Sequence, residues 1–225
     1  MRPPDVAIVD YGMGNLYSIE SACAAVGLTA VVTAEPEVLT AAPALILPGV
    51  GAFGEAMRRL GDSGLDELLR RSVGPRRPVL AICLGMQLLF EESEEFGDTR
   101  GLGLLPGRVV RFPPAQPGDE RGAGHKVPAI GWSAVSMAAP AERTGWAVSP
   151  LTGIPDGEHF YFIHSYYVRP DDPGIVATRT TYAGVEFASS LVYQNVFACQ
   201  FHPERSGPAG LQIYRNLAAA LRSSE

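Results

Sequence analysis

Apolar positions in the first half of the chain fall into short runs, and segments with helical spacing lie between them. The short runs predict buried β-strands at Val6–Tyr11, Thr29–Thr33, Ala44–Leu47 and Val79–Ile82. The amphipathic segments predict helices at Leu16–Val26 and Leu65–Val73, and a third helix from the end of the fourth strand through Phe90. Alternating strands and helices favour an α/β protein, with an open, mostly parallel sheet flanked by helices and joined by right-handed crossovers.

The second half of the chain changes to closely spaced strand patterns. A polar segment rich in proline and glycine, Pro113–Gly124, predicts an exposed loop. After it, the pattern predicts strands at Val127–Val135, Phe160–Val168, Ile175–Tyr182, Val185–Val192 and Val196–Phe201, then a helix at Leu211–Leu221. We expect additional antiparallel strands in this half and, since no repeat or linker interrupts the pattern, a single domain over residues 1–225.

Composition narrows the class of protein. The 225 residues are 46% hydrophobic with a mean hydropathy of +0.08, which suits a soluble domain with a sizeable core. Three cysteines make no disulfide framework and no apolar run reaches membrane-spanning length, so we expect a cytoplasmic protein. The net charge of −6 argues against a nucleic-acid surface. No metal-ligand cluster is visible in the sequence, and no metal or cofactor is expected.

Three glycines follow the third predicted strand. Gly49, Gly51 and Gly54 have the G-x-G-x-x-G spacing of dinucleotide-binding loops. That fingerprint belongs after the first strand and needs an acidic residue at the tip of the next one, whereas the next strand here ends in Ala81-Ile82-Cys83. We therefore expect the loop to serve a purpose other than holding a nicotinamide cofactor, with a simple tight turn as the alternative at Gly54.

Cys83 lies where the fourth strand ends and a helix begins. Free backbone amides at a helix start favour a thiolate, and the small residues around Cys83 permit the sharp turn of a nucleophile elbow. The amide of Leu84, the next residue, can point at a developing oxyanion. The alternative is that Cys83 is only a small buried hydrophobic residue, which is the role we expect for Cys23 and Cys199.

A histidine and a glutamate follow the last predicted strand. His202 and Glu204 flank Pro203, and on an extended segment residues two apart point the same way, so the carboxylate can orient the imidazole. No carboxylate stands two residues after any other histidine, namely His125, His159 and His164. Because parallel strands end along one sheet edge, we expect His202 to meet Cys83.

The motifs ICLGMQ and QFHPE, around these residues, resemble those of the class I glutamine amidotransferases, which hydrolyse glutamine and deliver ammonia to a partner. Within that family, the chain resembles the glutaminase subunits of imidazole glycerol phosphate synthase through DYGMGNLYSIESA, LPGVGAFGEAM, CLGMQLLFEESEE, GLGLLPGRV, VPAIGW, FYFIHSYY and CQFHPERS. The resemblance spans residues 10–206. It implies a flavodoxin-like α/β fold, no cofactor, and a heterodimer with a (βα)₈-barrel cyclase that receives the ammonia.

The resemblance also implies roles for individual residues. Cys83 would be the nucleophile, His202 the general base and then acid, and Glu204 the residue that orients it. The oxyanion hole would combine the amide of Leu84 with one from the loop at Val50 and Gly51. The residues implied around the substrate are Gly49, Gly51, Gln87, Ser165 and Tyr166. Those implied at the partner interface or its gate are Asn15, Trp132, Tyr161 and Arg205.

Several alternatives remain open at this level. Asn15 can instead be a helix cap, and Trp132 and Tyr161 can be ordinary core residues. Ala129 and Ser133 stand where the family usually has His and Asn, and Arg205 stands where it has Lys, close to the implied partner contact.

Rival functions share part of the pattern. Glutaminases of the anthranilate, GMP or vitamin B6 type would have the triad without the longer matching stretches. A cysteine peptidase or γ-glutamyl hydrolase would act without a partner, and a non-catalytic binding subunit would have lost a triad residue. For the main interpretation, we expect the glycine-rich Gly49–Val50 peptide to be misoriented until a liganded cyclase docks.

Overall fold

Thirteen strands form two sheets in this protein, described by a computed structural model that covers residues 3–74, 77–114, 126–138 and 149–223. In chain order the strands are β1 (Val6–Val9), β2 (Ala30–Thr33), β3 (Ala44–Leu47), β4 (Val79–Ile82), β5 (Phe90–Ser93), β6 (Thr99–Arg100), β7 (Leu105–Arg111), β8 (Ala129–Met137), β9 (Glu158–His164), β10 (Tyr166–Pro170), β11 (Val176–Tyr182), β12 (Val185–Tyr193) and β13 (Val196–Cys199).

Six helices accompany the sheets within the described residues. They are α1 (Leu16–Ala25), α2 (Pro36–Ala41), α3 (Phe53–Ser63), α4 (Leu65–Ser72), α5 (Leu84–Leu88) and α6 (Gly207–Arg222). Two single 3₁₀ turns add to these, at Pro173–Ile175 and Pro203–Arg205.

The larger sheet has the strand order β2-β1-β3-β4-β13-β12-β11-β8-β9. Its first five strands run parallel, and the remaining four are antiparallel to their neighbours. The expected α/β architecture, with a parallel core and antiparallel strands in the C-terminal half, is therefore confirmed. Strand β13 joins the two halves and pairs in parallel with β4, although over a hundred residues separate them in the chain.

The central parallel strands are buried on both faces, which explains why their sequences are continuously apolar. Alternate residues along each strand enter two different hydrophobic clusters. Val6 and Ile8 pack on the side that contains α1 and α6, whereas Ala7 and Val9 pack on the side that contains α3 and α4. The carboxyl ends of β3, β4 and β13 therefore emerge together from a rigid, fully packed layer.

The smaller sheet has the order β10-β7-β5-β6 and was not predicted as a separate sheet. It changes two predicted elements. The helix expected through Phe90 ends at Leu88, because Phe90 pairs with Leu105 and starts β5. The single strand expected over Phe160–Val168 is two strands that break at Ser165, because β9 pairs with β8 in the larger sheet and β10 pairs with β7 in the smaller one.

Other element boundaries differ by a few residues, and α2 was missed since it is a short helix with one buried residue, Leu39. Within the described ranges, no helix is long and apolar enough to cross a membrane. His125 and all but the first two residues of the predicted loop Pro113–Gly124 lie outside those ranges.

Candidate active site

Cys83 occupies a sharp turn between β4 and α5. Its backbone has φ 53° and ψ −108°, in a region that non-glycine residues rarely adopt and that marks functional turns. The Cys83 amide donates to the carbonyl of Cys199 at 2.8 Å, which extends the β4–β13 pairing to the turn itself. A side chain at position 85 would collide with the carbonyl of Leu47, so Gly85 is required for the helix to start this close to the sheet.

His202 follows β13 and forms a buried pair with Glu204. Its Nδ1 lies 2.8 Å from the Glu204 Oε1, and the side chains are 4% and 0% exposed. The expectation that an extended segment would align the two was wrong in its geometry. Glu204 lies in the 3₁₀ turn Pro203–Arg205, which folds the carboxylate back onto the ring.

Backbone and hydroxyl hydrogen bonds hold this turn against β9. The His202 amide donates to the carbonyl of Tyr161 at 2.9 Å, and the Tyr161 amide donates to the Ser206 Oγ at 3.0 Å. The Ser206 hydroxyl in turn donates to the His202 carbonyl at 2.6 Å. The imidazole is therefore fixed by three elements that are distant in sequence.

Charge controls the protonation of His202. Burial of the ring lowers its pKa, but the neighbouring Cys83 sulfur and the Glu204 carboxylate outweigh that effect and raise the pKa to about 10. With Nδ1 bound to Glu204, Nε2 has no hydrogen-bond partner among the described residues. A thiolate at Cys83 beside an imidazolium at His202 is the charge state that this arrangement favours.

A cleft of about 310 Å³ opens over Cys83 and His202, within the size range of small-molecule sites. It is lined by Asn15, Val50, Gly51, Cys83, Leu84, Gln87, Glu95, Pro128, Ile163, His164, Ser165, Tyr166, His202 and Arg205. Among the residues expected at the site, Gly49 and Glu204 lie behind the wall, and Trp132 and Tyr161 lie beside the mouth.

The loop after β3 closes one side of the cleft. The Tyr11 hydroxyl donates to the Pro48 carbonyl at 2.8 Å, and a side chain at Gly49 would come within 2.6 Å of that hydroxyl. Gly51 has φ +103°, which strongly favours glycine. The Gly49 carbonyl accepts a long hydrogen bond of 3.4 Å from the Leu84 amide, so a candidate oxyanion donor is occupied by the loop itself.

Gln87 connects the first turn of α5 to the opposite wall. Its Nε2 donates to the carbonyl of Tyr166 and to the Oε1 of Gln200, both at 3.0 Å. Ser165 and Tyr166, at the crossing between the sheets, line the cleft next to it.

The residues expected at a partner interface cluster at the mouth of the cleft. The Arg205 guanidinium lies 4.4 Å above the Tyr161 ring, and the Trp132 ring packs edge-on at 6.2 Å from the same ring. Trp132 is 56% exposed, so it is not a core residue. Asn15 stands at the start of α1, but its side chain makes no capping hydrogen bond and the residue lines the cleft instead.

Three residues of the site were not identified from the sequence. His164 is buried against the rings of Phe112, Phe162 and Phe187, and its Nδ1 lies 2.8 Å from the Tyr166 carbonyl. Glu95 lines the cleft and accepts from the first amide of α3 at 2.6 Å.

The third, Gln200, is completely buried beside Cys83. Only its position two residues before His202 could have drawn attention to it.

The family comparison agrees with this site. The profile described as "Glutamine amidotransferase class-I" matches residues 7–220. Three relatives carry the name "Imidazole glycerol phosphate synthase subunit HisH". The protein from Geobacter metallireducens is 44% identical (95% of this chain, 97% of that protein). That from Syntrophotalea carbinolica is 47% identical (94% and 98%), and that from Methanothermobacter thermautotrophicus is 45% identical (97% and 100%).

Solved structures share the fold at low sequence identity. A structure described as "Crystal structure of glutamine amidotransferase" superposes with a TM-score of 0.69 at 19% identity and covers 97% of this chain and 99% of that one. A putative GMP synthase protein from Thermoplasma acidophilum gives 0.68 at 19% identity, covering 100% and 96%. These two similarities concern the fold alone.

Proposed function

The chain belongs to the class I glutamine amidotransferase family, and from that premise we propose that it hydrolyses glutamine as the glutaminase subunit of an imidazole glycerol phosphate synthase. The observation that carries this proposal is the meeting of Cys83 with the His202–Glu204 pair in one amino-acid-sized cleft. No cofactor enters the reaction.

The proposed chemistry is acyl transfer to a thiol. The Cys83 thiolate attacks the side-chain carbonyl carbon of glutamine, and backbone amides stabilise the negative oxygen that forms. The C–N bond then breaks as His202 gives its Nε2 proton to the leaving ammonia. A water molecule next loses a proton to His202 and attacks the thioester, which releases glutamate and the thiolate. Glu204 holds the His202 tautomer through Nδ1 in both steps.

Substrate contacts are proposed for the cleft walls. Gln87, Ser165 and Tyr166 would hold the glutamine on one side, and Gly49 and Gly51 would let the loop backbone approach it on the other. Val50 and Leu84 would supply oxyanion donors.

The loop geometry supports control of this chemistry by the partner. In the observed orientation the Gly49 carbonyl takes up the Leu84 amide, and in a trans peptide the Val50 amide points the opposite way. Rotation of the Gly49–Val50 peptide would free the Leu84 amide and direct the Val50 amide at the oxyanion. A liganded cyclase that favours the rotated state would therefore switch the glutaminase on.

The face around the cleft mouth supports docking of a second protein. Ile130 and Ile163 are paired across β8 and β9, as are Trp132 and Tyr161, so these side chains project from one face of the sheet. Three of them are large and exposed, and Val50 on the loop is exposed as well. We propose that a (βα)₈-barrel cyclase covers this patch in a cytoplasmic heterodimer, with Asn15 and Arg205 at the junction.

In that complex, ammonia would enter the barrel and the products would be imidazole glycerol phosphate, an aminoimidazole carboxamide ribonucleotide and glutamate. The test is co-purification with the candidate cyclase, followed by product formation from glutamine or from added ammonia. We expect Cys83→Ser to lose the glutamine-dependent reaction and keep the ammonia-dependent one. The opposite pattern would refute the assigned roles, and high glutamine turnover by the isolated chain, unchanged by the cyclase, would refute the loop control.

A further inference from the structure

We propose that Gln200 is a further catalytic residue, which donates a hydrogen bond from its side-chain amide to the Cys83 sulfur and so holds that sulfur as a thiolate aimed into the cleft. The proposal rests on the proposed function. Gln200 follows β13 directly, its side chain is completely buried, and its Nε2 lies 3.5 Å from the Cys83 Sγ.

The orientation of the Gln200 amide is determined by a backbone carbonyl. The Tyr166 carbonyl can only accept, so the Gln87 atom that faces it must be the NH₂ group. That same NH₂ group faces Gln200 at 3.0 Å, so Gln200 presents its oxygen there. The Gln200 NH₂ group is consequently the one that faces Cys83, and the assignment does not depend on a free choice between nitrogen and oxygen.

The sulfur has few other donors. Within the described residues, the remaining hydrogen bond of Cys83 Sγ is a 4.0 Å contact with the Ile163 carbonyl, which serves only the protonated thiol. Once the proton has moved to His202, Gln200 is the neutral group that donates to the charged sulfur. A hydrogen bond to a charged group stabilises more than one between neutral groups.

The charged and titratable groups around Cys83 leave this role open. His202 with Glu204 approaches from the turn after β13, Tyr11 from the segment after β1, and Cys199 from β13 itself. Burial, followed by the charge of Cys83, raises the pKa of Tyr11, so the phenol stays neutral near pH 7. Burial and nearby negative charges likewise raise the pKa of Cys199.

Gln200 keeps both of its amide protons throughout the reaction. The thiol proton goes to His202 and then to the leaving ammonia, and Gln200 contributes only a hydrogen bond that is strongest while the sulfur carries charge. The Gln87 link places this donor in the same network as the Tyr166 carbonyl, on the proposed glutamine-binding wall.

The test compares Gln200→Met with the wild type, each in complex with the cyclase. Met preserves the length of the side chain and removes the donor. We expect kcat for glutamine to fall by about 10- to 100-fold, with KM changed by less than about threefold. In the isolated glutaminase chain, alkylation of Cys83 by iodoacetamide from pH 5 to 9, followed by mass spectrometry, should reach its half-maximal rate about one pH unit higher than in the wild type. Cys23 and Cys199 are fully buried and give little background.

Thr178→Val is the matched control. Thr178 is also completely buried in the larger sheet and bonded to the Ser189 and Ser190 hydroxyls, but it does not line the cleft. We expect this variant to keep the wild-type kcat and alkylation profile. A kcat of Gln200→Met within about twofold of the wild type, a loss confined to KM, or an equal loss in Thr178→Val would overturn the proposal.

Gln200→Glu decides the question if Gln200→Met does not fold. It keeps the shape and the acceptor for Gln87, and its carboxyl group donates to sulfur only while protonated. We expect alkylation of Cys83 to slow with rising pH where that group ionises, and a profile of wild-type shape would contradict the donor role. Failure of the wild-type complex to hydrolyse glutamine would instead refute the proposed function, while the alkylation comparison would still decide the role of Gln200.

Discussion

The buried imidazole of His164 gives this protein a specific sensitivity to acid. Burial is the main cause that lowers the pKa of His164, and the nearby His202 adds to it, while the hydrogen bond to the Tyr166 carbonyl acts in the opposite direction. The net result is a pKa of about 4, compared with 6.5 for an ordinary histidine. The perturbation that tests this is His164→Phe, which keeps an aromatic ring among Phe112, Phe162 and Phe187.

The direction and size of the effect follow from proton linkage. Between pH 6.5 and pH 4 the unfolded chain binds a proton at His164 that the folded chain does not bind. The contribution to stability is therefore present in full above pH 6.5, falls as the pH falls, and is lost below about pH 4. A displacement of this size corresponds to about 3 kcal/mol of unfolding free energy.

Urea unfolding followed by circular dichroism at pH 7, 6, 5 and 4 measures this contribution. We expect the wild type to lose about 3 kcal/mol more than His164→Phe between pH 7 and pH 4, because the other titrating groups are common to both proteins. His159, on the same strand but exposed, supplies the control, and His159→Gln should follow the wild type. Equal losses in the wild type and His164→Phe would show that the buried ring does not resist protonation.

Three other changes test the site and its surroundings. Gly85→Ala would push a methyl group into the Leu47 carbonyl, and we expect a loss of about 2–3 kcal/mol in urea unfolding; a loss below about 0.5 kcal/mol would mean that α5 can shift away. Tyr11→Phe removes the hydrogen bond to Pro48, so we expect about 1 kcal/mol lower stability together with higher glutaminase activity of the isolated chain, since the loop rotates more easily; unchanged basal turnover would contradict this. Trp132→Ala removes the most prominent aromatic side chain of the proposed docking patch, and titration calorimetry with the cyclase should show affinity reduced by about 30-fold or more, whereas unchanged affinity would place the interface elsewhere.

Much of the site could be predicted because its parts are local. The apolar run before Cys83 and the small residues around it indicate a strand that ends in a sharp turn, and the structure has both. The pairing of His202 with Glu204 was also expected, although a 3₁₀ turn rather than an extended segment brings the two side chains together. Short-range patterns of this kind encode which face of an element is buried and where the backbone must turn.

Residues that act through long-range contacts could not be found in this way. Gln200 becomes notable only because β13 pairs with β4 and brings it to Cys83, and its orientation depends on Gln87 and on the distant Tyr166 carbonyl. His164 lacks a carboxylate two residues on and was set aside as a base, yet the fold buries it in the wall of the same cleft.

The sequence by itself determined the alternation of strands and helices, the buried parallel core, and the two chemical motifs, because each of these is a property of neighbouring residues. Tertiary structure alone decided that the run Phe160–Val168 divides at Ser165 between two sheets, and that Phe90 leaves a helix to begin a strand. The physical reason is that a strand's partner is chosen by hydrogen bonds and packing across the whole chain, which the period of its own side chains does not record.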